Sequence, residues 1–144
     1  MELTRISPEE AKALLDSSDG HIYIDVRTTR EFDAGHVPGA KNIPVLEPGP
    51  SGGMELNPGF VRVCEANFPK DASLIIGCQK GGRSLRAAQF LLEAGFTEVV
   101  DMRGGYGGES DGLGRLTYPG WQPRGFPTTT VSAPEDRYEH LAAK

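Results

Sequence analysis

The stretch from residue 73 to residue 94 constrains the fold more than any other part of this sequence. Ser73-Leu74-Ile75-Ile76-Gly77 is a short apolar run typical of a buried strand, and a helical pattern over 84–94 follows it closely. Apolar runs at 21–25 and 98–102 alternate with helical patterns in the same way. This alternation predicts an α/β fold, in which helices cover both faces of a parallel sheet.

The remainder of the chain fits one compact domain. Ser7, Pro8 and Glu10 are typical of a helix start with a capping box, and residues 57–67 are predicted to form a further helix. Residues 47–53, rich in Pro and Gly, are predicted to form a loop. Beyond residue 104 we expect loop-like structure and a last helix over 134–143. The predicted organisation is a domain over 1–130 and a tail over 131–144 that packs on it.

Charge and cysteine content exclude several classes of function. The formal charge is −5, with 15 basic and 20 acidic side chains, which argues against nucleic-acid binding. No apolar stretch approaches the length that spans a membrane, and the first residues lack an apolar signal core. The two cysteines, Cys64 and Cys78, are too few for a disulfide framework and lack the spacing of a zinc site. We therefore expect no metal, no membrane partner and a reducing, cytoplasmic location.

One local exception to the acidic composition lies at residues 72–92. This stretch has no acidic residue but contains Lys80, Arg83 and Arg86, which predicts a small anionic ligand. In open α/β sheets, ligands bind at the carboxyl ends of strands, where Cys78 is expected to lie. Loop amides and the helix N-terminus there favour the thiolate form of a cysteine. Cys78 is therefore a candidate nucleophile that needs no histidine base; the alternative is a buried structural cysteine.

Three groups of residues carry a resemblance to rhodanese-type sulfurtransferases. Residues 78–84, Cys-Gln-Lys-Gly-Gly-Arg-Ser, resemble the active-site loop of that family. The upstream residues Asp25, Arg27 and Glu31 and the stretch 35–44 resemble a second characteristic segment. Gly104-Gly105, Trp121 and residues 125–127 are similar to the closing segment. The resemblance covers residues 5–128 and implies a single rhodanese-like α/β domain, built on a central, mainly parallel five-stranded sheet with helices on both faces.

The resemblance also implies an activity. Cys78 would take a sulfane sulfur from thiosulfate, hold it as a persulfide and pass it to a thiophilic acceptor, which is cyanide in vitro and a thiol or a protein in the cell. No cofactor is required. In the family, a basic residue two positions after the cysteine accompanies thiosulfate use, and Lys80 stands there. The implied substrate-binding residues are Gln79, Lys80, Gly81, Gly82, Arg83 and Ser84.

The sequence suggests a role for each of several residues around the loop, and for some of them it leaves two interpretations open. Asp25 and Arg27 are interpreted as structural support of the loop rather than as an acid–base pair. Arg83 either binds the anionic donor or braces the loop, and donor binding is slightly favoured. Ser84 is interpreted as the cap of the following helix. His36 is read as part of a structural turn and Cys64 as a packed core thiol.

Two other functions remain open. One is a sulfur-carrier or persulfide-sensing module that serves a single protein partner. The other is a phosphatase or arsenate reductase on the same fold. The related phosphatases have five residues between cysteine and arginine, whereas four lie between Cys78 and Arg83. The stretch 107–120 departs from the family pattern and is either a mobile surface loop or a lining of the pocket mouth through Glu109, Ser110, Asp111, Arg115 and Tyr118.

Overall fold

The computed structural model describes residues 3–144, and the account below refers to them. The strands are β1 (Thr4–Ile6), β2 (Ile22–Asp25), β3 (Lys41–Asn42), β4 (Leu46–Pro48), β5 (Met54–Leu56), β6 (Ser73–Gly77), β7 (Glu98–Met102), β8 (Gly108–Ser110) and β9 (Leu116–Pro119). The α-helices are α1 (Pro8–Asp16), α2 (Thr29–Ala34), α3 (Phe60–Asn67), α4 (Gly82–Glu93) and α5 (Tyr138–Leu141). Within residues 3–144, no helix has the length and apolar character needed to cross a membrane.

The central sheet has five strands in the order β1-β7-β6-β2-β3, and every neighbouring pair is parallel. This arrangement confirms the predicted α/β fold with a five-stranded sheet. Strand β6 lies in the middle, between β7 and β2. Its carboxyl end is therefore flanked by strand ends on both sides, which is where ligands bind in such sheets.

Helices cover both faces of the sheet, as predicted. Ile76 points to the face packed by α3, α4 and α5, where Phe60 and Leu91 are fully buried. Ile75, the preceding residue, points to the other face, where it packs with Phe32 of α2 and with α1. Adjacent residues of a strand point to opposite faces, so a strand covered on both sides is mostly apolar. This explains the apolar run of residues 74–76 in β6.

The predicted loop over 47–53 is wrong at its first two residues, because Glu47 and Pro48 belong to strand β4 of a small hairpin. Strands β4 and β5 pair antiparallel, with Leu46 opposite Leu56 and Pro48 opposite Met54. Gly52 turns the chain with a positive φ of 86°. Strands of three residues are too short for a periodic pattern, and Pro48 lowers the strand signal further.

The prediction of loop-like structure after residue 104 is also wrong between residues 108 and 119. Strands β8 and β9 form an antiparallel hairpin there. Its turn is closed by the Asp111 carboxylate, which accepts hydrogen bonds from the backbone of Leu113 and Arg115 and from the Arg115 side chain, at 2.9–3.0 Å. An Asp that bonds the backbone two residues on is a common turn device, and it orders this segment.

The end of the chain packs on the domain through two short turns. A 3₁₀ turn at Pro134–Asp136 and helix α5 replace the predicted continuous helix over 134–143, because Arg137 between them is extended (φ −88°, ψ 147°). Leu141 is buried in the core beside α3, and the Tyr138 hydroxyl lies 2.9 Å from the amide of Asn57. The division into a domain over 1–130 and a tail over 131–144 stays a prediction, and its residues 1–2 lie outside the described part of the chain.

Candidate active site

Cys78 lies directly after the central strand β6 and three residues before the N-cap of α4. Its side chain is 1% exposed. The carbonyl groups of Cys78 and Gln79 accept hydrogen bonds from the amides of Tyr106 and Gly107, at 2.6 and 2.9 Å. These two bonds fix the outer side of the loop to the segment that follows β7. The sulfur is therefore held on a braced loop at the centre of the sheet edge.

The Cys78 sulfur has two polar neighbours. The amide of Gly81 donates a hydrogen bond to Sγ over 3.0 Å, and the hydroxyl of Ser84 lies 3.4 Å from Sγ. Gly81 has a φ of +116°, which a side chain disfavours, and this conformation turns its N–H towards the sulfur. An amide at the start of a helix, aimed at sulfur, stabilises a negative charge there.

The helix start lies earlier than the sequence pattern predicted. Helix α4 begins at Gly82 with Gly81 as its N-cap, so the prediction of Ser84 as the cap is wrong. Ser84 is the third helical residue, and its hydroxyl donates to the Gly81 carbonyl over 3.2 Å. Gly81, in a left-handed conformation, turns the chain into the helix without a side-chain cap, so Ser84 already lies inside the first turn.

Gly105 fits closely against the active-site loop. A Cβ atom on this residue would lie 2.3 Å from the carbonyl oxygen of Cys78, and φ at Gly105 is +63°. Both the space and the backbone conformation therefore require glycine. Gly104-Gly105, part of the closing segment noted in the sequence, thus lets the chain after β7 approach the loop.

An open pocket of about 420 Å³ lies above the sulfur. Its lining residues are Glu31, Cys78, Gln79, Lys80, Gly82 and Arg83. Lys80 is exposed on its rim. Of the six residues predicted to bind the donor, Gln79, Lys80, Gly82 and Arg83 face this pocket, whereas Gly81 and Ser84 lie behind the sulfur. Their assignment to a donor site stays a prediction.

Arg83 is paired with Glu31 across the pocket. Its two terminal nitrogens lie 2.6 and 2.9 Å from the two carboxylate oxygens, a bidentate ion pair. The Arg83 hydrogen bonds hold the pKa of Glu31 at about 2, well below the usual 4.5. Glu31 also accepts from the backbone of Thr28, at the start of α2. The guanidinium thus braces α4 against α2. This corresponds to the bracing role, which the sequence favoured slightly less than donor binding.

The sequence assigned no role to Glu31, although it contained a usable signal. Thr28 and Glu31 form a capping box, with the Glu31 amide 3.2 Å from the Thr28 hydroxyl. This pattern indicates where α2 starts and which way the carboxylate turns. It does not indicate the second partner, Arg83, which is 52 positions away in the sequence.

Asp25 and Arg27 form a buried pair beneath the loop. Two nitrogens of Arg27 donate to the Asp25 carboxylate at 2.7–3.1 Å, and a third donates to the side-chain oxygen of Gln79 at 3.1 Å. Arg27 also lies over the ring of Tyr106, 4.5 Å from its centroid. The pair connects the end of β2 to the Cys78 loop through the hydrogen bond from Arg27 to Gln79.

A third ion pair, which the sequence did not indicate to us, lies on the other side of the loop. Arg5 Nε donates to Asp101 Oδ2 over 2.9 Å, and Asp101 is fully buried. Burial raises the pKa of Asp101, whereas the hydrogen bond from Arg5 lowers it. The signal in the sequence was an acidic residue inside the apolar strand β7, since a buried carboxylate needs a partner.

Other candidate groups lie away from the pocket. The buried His36 ring stacks on Phe32 at 3.7 Å, and its Nδ1 lies 2.7 Å from the Phe32 carbonyl oxygen. Cys64 is buried in the core, where burial raises the pKa of its thiol to about 12. In residues 3–144, no group of three or more His, Cys, Asp or Glu side chains is placed to hold a metal ion.

The β8–β9 hairpin stands beside the pocket rather than over it. None of the five hairpin residues considered for the mouth lines the pocket of Cys78. Glu109 and Tyr118 instead line a neighbouring depression with Arg5 and Arg103. Arg103 pairs with Glu109 at 3.0 Å and lies 4.0 Å from the Tyr118 ring centroid, which fixes the hairpin to the end of β7.

Comparison with known proteins gives consistent results at the level of family and fold. The profile of the Rhodanese-like domain matches residues 7–108. The chain is 43% identical over 109 residues to "Thiosulfate sulfurtransferase 16, chloroplastic" of Arabidopsis thaliana, covering 76% of this chain and 80% of that protein. It is 44% identical over 102 residues to "Senescence-associated protein DIN1" of Raphanus sativus, covering 71% of this chain but only 52% of the relative.

Among solved structures, the crystal structure of Rv0390 from M. tuberculosis superimposes with a TM-score of 0.74. The match covers 91% of this chain and all of that one, at 23% sequence identity. At this identity the likeness concerns the fold alone. It agrees with the parallel five-stranded sheet described above.

Proposed function

Since the chain belongs to the rhodanese-like family of sulfurtransferases, we propose that it is a thiosulfate sulfurtransferase that carries sulfur as a persulfide on Cys78. The observation that carries this proposal is the position of the Cys78 sulfur at the floor of an open pocket, 3.0 Å from the Gly81 amide. A thiolate held in this way is stabilised without a neighbouring base. Cys78 lines the open pocket, so a small anion would approach it from that side.

In the first half-reaction, the Cys78 thiolate attacks the outer, sulfane sulfur of thiosulfate. A bond forms between the two sulfur atoms, the sulfur–sulfur bond of thiosulfate breaks, and its electron pair leaves with sulfite. The product on the enzyme is a Cys78 persulfide. Lys80 on the rim attracts the dianionic donor, and the Gly81 amide stabilises charge on sulfur during the transfer.

In the second half-reaction, a nucleophilic acceptor attacks the outer sulfur of the persulfide. The sulfur–sulfur bond breaks, and Cys78 leaves as the thiolate, to which the Gly81 amide is already directed. With cyanide the product is thiocyanate; with a thiol it is a persulfide of the acceptor. The cycle needs no metal or organic cofactor, because the enzyme stores the sulfur covalently.

Two features support sulfur transfer over phosphate-ester or arsenate chemistry. The Arg83 guanidinium is occupied by Glu31, so it does not face the pocket as a two-pronged clamp for a tetrahedral oxyanion. Glu31 is the acidic residue in the pocket lining, and its pKa of about 2 leaves it ionised and unable to protonate a leaving group. A cytoplasmic location stays a prediction.

The proposal is tested by thiocyanate formation from thiosulfate and cyanide. Wild type is compared with Cys78→Ser and with Cys64→Ala, the matched change at the buried cysteine. We expect Cys78→Ser to lower kcat/KM by at least about 10³-fold, or about 4 kcal/mol, and Cys64→Ala to keep turnover. Wild type that takes up sulfur without turnover would instead indicate a carrier for one protein partner. Cys78-dependent hydrolysis of phosphate esters without any sulfur uptake would overturn the proposal.

A further inference from the structure

The β4–β5 hairpin has two faces of different character. In an antiparallel pair, residues directly opposite each other lie on the same face. One face is formed by two apolar pairs, Leu46 with Leu56 and Pro48 with Met54, and the other face by Glu47 with Glu55. The outer part of the apolar face is open to solvent, because Met54 is 48% and Leu56 is 43% exposed. The hairpin therefore presents a contiguous apolar surface rather than a single exposed side chain.

The hairpin lies at the same edge of the sheet as Cys78. Backbone hydrogen bonds of 2.9–3.2 Å connect Gly77 to Val26, Val26 to Val45, and Val45 to Asn57. Four chain segments therefore lie side by side, and at a spacing of about 4.8 Å the hairpin base is about 14 Å from the end of β6. Cys78 is the residue that follows this strand end.

The apolar face belongs to the side of the sheet that α3 and α4 cover. Leu46, at the hairpin base, packs against core residues of these two helices. The start of α4 is basic, since Lys80 is exposed on the pocket rim and Arg86 is exposed one turn after Arg83. Residues 72–92 contain no acidic residue. The edge of the domain around Cys78 thus combines an apolar surface with a basic one, in a chain with a formal charge of −5.

We propose that this edge is the docking site of a protein acceptor. The acceptor presents a cysteine to the Cys78 pocket, an acidic residue to Lys80 and Arg86, and apolar side chains to Met54 and Leu56. The inference rests on the proposed persulfide of Cys78 and names the class of acceptor that takes its sulfur. The transfer is the second half-reaction given above: the acceptor thiolate attacks the outer sulfur, the sulfur–sulfur bond breaks, and Cys78 leaves as the thiolate.

The dimensions of the edge favour a protein over a small thiol. A specific protein interface covers about 800 Å² of each partner, which corresponds to a disc with a radius of about 16 Å. Such a disc, centred on Cys78, includes the hairpin base and the start of α4. A small thiol enters only the pocket, whose lining contains no residue of the β4–β5 hairpin, and therefore gains nothing from the apolar face.

The test measures how fast Cys78 forms a disulfide with two activated peptides. The first is acetyl-Glu-Cys-Gly-Ser-Ser-Leu-Leu-amide, and the second has serine in place of both leucines. The cysteine of each carries a 2-pyridylthio group, and each peptide is made in both sequence directions. An extended chain spans about 3.4 Å per residue, so about four residues bridge the distance from Cys78 to the hairpin. The Cys78 thiolate attacks the peptide sulfur, a disulfide forms, and pyridine-2-thione leaves and is measured by its absorbance.

We expect wild type to react about tenfold faster with the leucine peptide than with the serine peptide, because the apolar contact holds the peptide at the edge. In Met54→Ser/Leu56→Ser this advantage should fall below twofold. Leu113→Ser/Leu116→Ser, at exposed apolar positions around the β8–β9 hairpin, is the matched control and should keep the advantage. Alkylation of Cys78 by iodoacetamide should proceed at the same rate in all three proteins, which shows that the site is intact.

Equal rates for the two peptides with wild type overturn the inference. An advantage that survives in Met54→Ser/Leu56→Ser, or that is lost in both double variants, overturns it too. A wild-type dimer in sedimentation that dissociates in Met54→Ser/Leu56→Ser would assign the face to a second copy of the chain and overturn the inference as well. Should this double variant fail to fold, Leu56→Ser alone takes its place. Cys78→Ser supplies the blank. The reaction needs neither thiosulfate nor a persulfide, so a failure of the sulfurtransferase proposal leaves this result readable.

Discussion

Arg83 and Glu31 meet in a two-point ion pair, with nitrogen–oxygen distances of 2.6 and 2.9 Å, at the wall of the Cys78 pocket. Glu31 belongs to the first turn of α2, and Arg83 belongs to the first turn of α4. The pair therefore fixes the helix that carries the active-site loop against a helix on the opposite face of the sheet. We expect the position of the active-site loop to depend on this pair.

Removing this ion pair is expected to loosen the pocket. In Glu31→Gln we expect kcat/KM for thiosulfate to fall about tenfold. The Arg83 guanidinium loses its charged partner, and the active-site loop is then held less firmly in position. The loss of stability should stay near 1 kcal/mol, since both side chains are partly exposed. Steady-state thiocyanate formation and urea unfolding measure the two quantities. Glu93→Gln, at an exposed position of α4, is the control; equal effects in both variants would contradict the role of the pair.

The same pair predicts a pH dependence of stability. The pKa of Glu31 is about 2 in the folded protein against 4.5 as its ordinary value. A lowered folded pKa adds stability above pH 4.5, and that stability is lost as the pH falls towards 2. The difference in unfolding free energy between wild type and Glu31→Gln should therefore be constant at neutral pH and shrink between about pH 5 and pH 2. A difference that is unchanged over this range would show that the pair does not titrate as described.

Lys80 is expected to act on the donor rather than on the acceptor. It lies exposed on the pocket rim, in a protein whose formal charge is −5. In Lys80→Gln we expect the KM for thiosulfate to rise about tenfold at low salt, with less change in kcat, and the effect to shrink at high salt because ions screen exposed charges. Initial rates at two ionic strengths test this. Arg62→Gln, an exposed cation on α3 outside the pocket, should leave the KM unchanged.

Gly105 should tolerate no side chain. A Cβ atom there would lie 2.3 Å from the Cys78 carbonyl oxygen, and φ is +63°. Gly114 has a similar φ of +80° but open space around it, so it isolates the backbone effect. We expect Gly114→Ala to cost about 1 kcal/mol of unfolding free energy and Gly105→Ala about 2 kcal/mol more. If both variants lose the same unfolding free energy in urea, the close contact at Gly105 does not add to the cost of the side chain.

The sequence predicted those parts of the fold that depend on local patterns. Strand β6 and strand β7 were predicted with the bounds observed, because each is an apolar run closed by polar or glycine residues. The Cys78 loop was predicted from the order of residue types alone. Strands of three residues, such as those of the β8–β9 hairpin, carry too few positions for a period to be recognised.

What the sequence did not reveal depends on partners far apart in the chain. Donor binding by Arg83 was slightly favoured over a bracing role, because nothing near Arg83 in the sequence indicated Glu31, which lies 52 positions earlier. Asp101 and Arg5 are 96 positions apart and become neighbours only when β1 joins the edge of the sheet beside β7. The direction of a side chain in the pocket is set by such tertiary contacts, and residue order alone does not determine them.

The most direct test of the central claim, a persulfide on Cys78, is the intact mass of the protein after incubation with thiosulfate alone. Wild type should gain the mass of one sulfur atom, and cyanide should remove it. Cys78→Ser should keep its original mass, whereas Cys64→Ala should gain the sulfur as wild type does. A wild-type protein that gains no mass, or a Cys78→Ser variant that gains the sulfur, would contradict the account.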